Sequence, residues 1–195
     1  MKKRVSVKKN ALIASVAALP IAAMVFSSVV SAAYFNGGRS SGSFSAYYHS
    51  SVSSYGYGNH YDTARTNWNG ISSKAKVSKT TSTSGDPDRY YVGTTGSSTL
   101  LGQIVPYKIS GGTYVEASPN DQWAYSTATI YDNTMKSFNM TSSQIVSNAT
   151  HEIGHTVSLA HTSPSSSSPS VMKQGIQDIG PQTYDKNELK SKWGN

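Results

Sequence analysis

The eleven residues His151-Glu152-Ile153-Gly154-His155-Thr156-Val157-Ser158-Leu159-Ala160-His161 decide how this chain is read. An α-helix turns about 100° per residue, so His151 and His155 stand one turn apart on the same face. Two imidazoles so placed can hold one zinc ion at roughly 2.0–2.1 Å each. Glu152 lies about 100° to the side, where a carboxylate can serve as a base without being a ligand. His161 would fall on the wrong side of a continued helix. It can become a third ligand only if the chain leaves the helix soon after Val157 and turns back. Such a turn wants a residue at positive φ, usually glycine.

The flanks agree with a buried, metal-bearing helix. Gln144 and Asn148 share the histidine face, and Val146, Ala149, Ile153 and Val157 fall roughly opposite. Thr141 with Gln144 three residues on forms a capping box that starts the helix. Upstream, Tyr61, Ala64, Trp68 and Ile71 mark one face of an earlier helix beginning near Asn59, which Asn69-Gly70 stops. Between the two helices run five strand-like segments: 75–79, 89–94, 103–109, 113–117 and 124–131. Turn signals such as Ser84-Gly85-Asp86-Pro87 and Ser110-Gly111-Gly112 separate them. A Ser/Pro-rich loop spans 163–170, and a short last helix is expected near Asp185, with Asp185 as its N-cap. The sum is an α+β layered architecture.

Composition narrows the classes. Of 17 Lys+Arg, five lie within the first nine residues and precede a 20-residue uncharged run, Ala11–Val30, closed by Ser31-Ala32-Ala33. This reads as a secretory signal peptide over 1–33, cut near Ala32 or Ala33. The expected location is therefore extracellular, with retention at the cell surface as the alternative. Residues 1–33 contain none of the ten Asp+Glu, so the remainder carries a net +2 rather than +7. That excludes a concentrated cationic nucleic-acid face and gives no reason for membrane attachment once the signal is gone. With no Cys, there is no disulfide scaffold, thiolate zinc site or cysteine nucleophile. Residues 34–58, rich in Ser, Gly and Tyr, read as a loosely ordered leader or short pro-segment. The functional domain is then expected over 59–195.

The motif resembles the metzincin zinc signature, a histidine–glutamate pair and two further histidines followed by a Met-turn. Within that clan the chain is most similar to the matrixins and their bacterial secreted relatives. Ser170-Val171-Met172 matches the Met-turn, and Asp185, Leu189 and Trp193-Gly194 match the last helix. The resemblance implies a twisted, mostly parallel five-stranded sheet with an antiparallel edge strand, three helices, and zinc at the foot of a cleft. It further implies His151, His155 and His161 as ligands, Glu152 as general base, Met172 as an apolar floor, and Asp185 bonding back toward the Met-turn. The chain departs from the family pattern in several places. Ser158 replaces the turn glycine, and the loop from His161 to Met172 is longer. No tyrosine follows at the fifth-ligand position, and no Pro-x-Tyr segment walls the pocket.

The expected function is a secreted zinc-dependent endopeptidase acting on protein or peptide substrates as a monomer. Three imidazoles leave one position on zinc open for water, whose proton Glu152 takes. The alternative is a catalytically impaired zinc-binding or cell-surface interaction protein of the same fold. An extended substrate would add to the 123–131 strand, expected at the sheet edge. Calcium near Asp86 and Asp88 is left open and unassigned.

Overall fold

Strand and helix propensities are realised in a computed structural model that describes residues 33–195. The targeting segment expected over 1–33 therefore lies, apart from Ala33, outside the described residues. Thirteen elements follow in chain order. They are β1 (Gly38–Arg39), β2 (Ser43–Tyr48), α1 (Ser50–Ser54), α2 (Gly58–Trp68), β3 (Lys76–Thr80), β4 (Asp88–Gly93) and β5 (Gly102–Ser110). After these come β6 (Thr113–Glu116), β7 (Gln122–Trp123), β8 (Tyr125–Tyr131), α3 (Asp132–Ser137), α4 (Ser142–Thr156) and α5 (Thr183–Trp193).

The main sheet has six strands in the order β3-β2-β4-β8-β5-β6, and β1 and β7 form a separate parallel pair. β3, β2, β4 and β8 run parallel, while β5 is antiparallel to β8 and β6 returns antiparallel along β5. Among the described residues the fold is thus α+β with a mixed six-stranded sheet and five helices, where five strands and three helices were expected. The additions have plain causes. α1 and α3 are helices of five and six residues, too short to show a helical period. The extra strand, β2, sits in the segment read as a loosely ordered leader. That reading is corrected: β2 lies inside the sheet, with Phe44 opposite Val77 of β3 and Tyr48 opposite Tyr90 of β4. Its alternation of Phe44, Ala46 and Tyr48 with Ser43, Ser45 and Tyr47 was the available signal, masked by the Ser/Gly-rich surroundings.

A second correction concerns the edge. β8 is interior, between β4 and β5, and not an edge strand. Its alternation reflects a half-buried second face carrying Thr127 and Thr129, although both of its backbone edges are paired. β5 takes its place beside the cleft. β6 pairs with β5 only from Tyr107 onward, so Gly102–Val105 has β8 on one side and the cleft on the other.

Apolar faces meet between the sheet and two helices. Tyr61, Ala64 and Trp68 of α2 and Ala149 and Ile153 of α4 pack with Val77, Tyr90 and Ile130 of the sheet. The Trp68 indole N–H donates to the Thr150 carbonyl (2.8 Å), which locks α2 onto the histidine helix. α2 ends as expected, at Asn69 with Gly70 at φ 83°.

Candidate metal centre

α4 begins where its sequence says it should. The Thr141 hydroxyl accepts from the Gln144 N–H, and the Gln144 side chain accepts from the Thr141 N–H, completing the capping box. The helix ends at Thr156, with Val157 as C-cap. Ser158 then adopts φ 72°, the left-handed turn that the geometry of His161 required. The serine is tolerated because Gly38 of β1, also at positive φ, lies against its hydroxyl without a Cβ to clash. The turn is sewn to the segment before β1: Phe35 N–H donates to the Ser158 carbonyl, and Ala160 N–H to the Ala33 carbonyl, each at 2.8 Å.

His151, His155 and His161 come together, with every Nε2–Nε2 distance 3.1 Å. The other nitrogens decide what this means. His151 Nδ1 lies 2.8 Å from the Val171 carbonyl and His155 Nδ1 2.8 Å from the Leu159 carbonyl. A carbonyl only accepts, so both Nδ1 atoms carry the proton and both Nε2 atoms present bare lone pairs. Two lone pairs 3.1 Å apart repel, so these contacts are not hydrogen bonds. A cation between them turns that repulsion into ligation. In a tetrahedral zinc site with bonds of 2.0–2.1 Å, donor atoms stand about 3.3–3.4 Å apart, so the triangle fits one ion with small adjustment. Burial lowers the pKa of all three rings, His151 to about 4, so none needs to shed a proton at neutral pH to bind metal.

Glu152 points into the same cleft and is nearly inaccessible, with Oε2 lacking any protein partner. Burial without a compensating charge pushes its carboxyl up to about 8. A cation held by the neighbouring imidazoles would draw it down again, because opposite charge favours the carboxylate. Gly102, the first residue of β5, lies over this carboxylate: a Cβ there would sit 2.6 Å from Oε1. Asn148 donates to the Leu101 carbonyl (3.1 Å) and so fixes where β5 enters the cleft. The cleft encloses about 470 Å³, and Glu152 is the only Asp, Glu, Lys or Arg among its lining residues.

Met172 is buried in the core, and its sulfur packs on Gly154, which lies between His151 and His155 on the helix. Its carbonyl accepts from Thr162 N–H (3.0 Å), tying this turn to the loop that carries His161. Asp185 is not the N-cap of α5. Gln182 caps, and Asp185 stands at the third helical position, its carboxylate accepting from Gln182 N–H. The same carboxylate accepts from Ser170 Oγ and from Val171 N–H (3.0 Å), and so holds the turn that leads into Met172. His49 and His60 lie elsewhere, on Ser51 and Ser142. Among the described residues, the three histidines form the one group of metal-ligating side chains close enough to share an ion. Asp88, left open for calcium, accepts from Arg39 (2.8 Å), and Asp86 accepts from the Tyr114 hydroxyl.

Sequence reasoning missed two residues of this site and the partner of a third. Gly102 gave no motif, and Asn148 was placed on the histidine face without its contact to Leu101, because their partners lie 50 and 47 positions away. Phe35 fell in the supposed leader, yet its ring stacks on His155 with centroids 5.8 Å apart. Compared with protein-family models and with curated proteins, the sequence matches none.

Proposed function

We propose that the protein is an exported zinc-dependent endopeptidase of metzincin-like architecture. One observation carries this reading: two imidazole lone pairs, fixed by carbonyls behind them, converge with a third ring at 3.1 Å beside a buried, unpartnered glutamate oxygen. An all-imidazole, thiol-free donor set suits zinc. When bound, the ion supplies Lewis-acid polarisation of a carbonyl and makes water a stronger acid.

The chain's own residues perform the rest. The free edge of β5 from Gly102 to Val105 pairs with the backbone of an extended substrate and sets its register. Glu152 takes a proton from the attacking water as its oxygen bonds to the scissile carbonyl carbon. It then delivers that proton to the amine as the C–N bond breaks. The Val171 and Leu159 carbonyls hold the rings of His151 and His155 in their metal-binding orientation. The parallel strands with antiparallel β5 at the cleft, the methionine below and Asp185 behind it support the metzincin comparison.

The test is metal analysis of the purified protein together with casein hydrolysis, with and without a chelator. About one zinc per chain, activity abolished by chelation, zinc lost in His155→Ala, and zinc kept without turnover in Glu152→Gln are the expected results. Zinc bound by a wild-type protein that cleaves nothing would favour the catalytically impaired alternative.

A further inference from the structure

We propose that Phe35 is a specificity-determining residue, forming with Pro119 an apolar subsite for a hydrophobic side chain of the substrate next to His155. The inference rests on the peptidase reading and names what the cleft selects.

Three observations carry it. First, Phe35 is a large apolar side chain left half-buried in the wall of the cleft, and it contributes nothing to the main core. Its ring neighbours are His155 (5.8 Å, 26° between planes) and Trp123 (5.9 Å). One of those neighbours is a metal ligand and the other is buried, which leaves the remaining surface of the ring for a ligand. Second, its position is built rather than incidental. On one side, the Phe35 N–H donates to the Ser158 carbonyl (2.8 Å). On the other, Asn36 N–H donates to Asn120 Oδ1 (3.1 Å) and Gly38 pairs with Gln122. Lys192 Nζ donates to the carbonyls of Phe35 and Gly37, each at 2.7 Å. A ring on a backbone held from both sides loses little freedom when it is covered, which makes it an efficient anchor. Third, the hydrogen bonds that tie Asn120 and Asp121 to Asn36 and Gly38 hold the adjacent loop beside the Phe35 segment, and its exposed Pro119 lines the same cleft. Phenylalanine and proline offer no charge and no side-chain hydrogen bond, so the complementary group is an aliphatic or aromatic side chain. Phe35 comes from a segment more than 110 residues upstream of the metal motif, and the subsite is distinct from the wall at Gly102, which lies against Glu152.

The experiment is cleavage profiling on a peptide library, followed by kcat and KM on matched peptides, for wild type, Phe35→Ala and Phe35→Leu. Zinc content and thermal stability are recorded for each variant. Wild type is expected to favour an aliphatic or aromatic residue at one position. For peptides carrying it, Phe35→Ala raises KM about tenfold with kcat and zinc content nearly unchanged, the loss expected for one apolar contact. Peptides with glycine at that position are unaffected, and Phe35→Leu recovers most of the preference. An unchanged profile in Phe35→Ala overturns the proposal. So does a uniform fall in kcat with loss of zinc, which would make Phe35 a mere buttress of His155. A wild-type protein that binds zinc but cleaves no peptide overturns the peptidase reading itself and this subsite with it.

Discussion

Replacing Ser158 with glycine should stabilise the protein, and the size of the gain can be worked from its surroundings. Ser158 is held at φ 72° with no solvent exposure, and its Oγ has no hydrogen-bond partner. Left-handed backbone costs a non-glycine residue roughly 1–2 kcal/mol. A buried, unpartnered hydroxyl adds about 1–3 kcal/mol. Against this, glycine gives the unfolded chain extra freedom worth about 0.4–1 kcal/mol. Removing the CH₂ loses about 0.8 kcal/mol of burial. The net is a gain of roughly 2 kcal/mol, which for a domain of this size raises Tm by about 4–8 °C. Thermal unfolding of wild type, Ser158→Gly and Ser158→Ala in the presence of chelator measures it. Ser158→Ala keeps the backbone strain and drops the hydroxyl, so it should show only the second part of the gain. Zinc affinity of Ser158→Gly should equal or exceed that of wild type, since the turn that carries His161 is relieved. A lower Tm for Ser158→Gly would refute the reasoning and mean that the serine is satisfied in this turn.

Other perturbations test the remaining contacts. Gly102→Ala forces a Cβ within 2.6 Å of Glu152 Oε1, so the carboxylate must move; zinc should stay bound while kcat falls about 100-fold in the casein assay. Asp185→Ala removes one of the three partners of Ser170 Oγ and strips the carboxylate from the N–H groups of Val171 and Gln182, and should cost about 3 kcal/mol by urea unfolding, with weaker zinc retention. Burial raises the Asp88 carboxyl from 3.8 to about 6, Arg39 opposing the shift, so the folded state holds that proton more tightly than the unfolded chain. Asp88 therefore contributes stability that is present below pH 4 and falls away as pH rises to about 6, at most about 3 kcal/mol. His151, lowered to about 4, works in the opposite direction over nearly the same range. The difference in stability between wild type and Asp88→Asn isolates the Asp88 part: it should decline from pH 4 to 6 and then level off.

The sequence alone determined the elements whose cause is local. The capping box at Thr141, the stop at Asn69-Gly70, the histidine pair on α4 and the need for a left-handed turn near Ser158 all follow from contacts within a few residues, and the structure places each where the spacing demands. Met172 and Asp185 were legible as partners of the turn through their motif, although the capping role fell to Gln182. What only tertiary structure decided is pairing across long separations. A Ser/Gly/Tyr-rich segment became interior strand β2, because β3 and β4 satisfy its backbone from both sides. β8 became interior and the start of β5, before its pairing with β6, came to flank the cleft, since which neighbour a strand takes is not written in its own alternation. The walls of the cleft followed: Gly102 over Glu152 and Phe35 over His155 are placed by hydrogen-bond ladders closed over dozens of residues, a free energy that no window of local sequence contains.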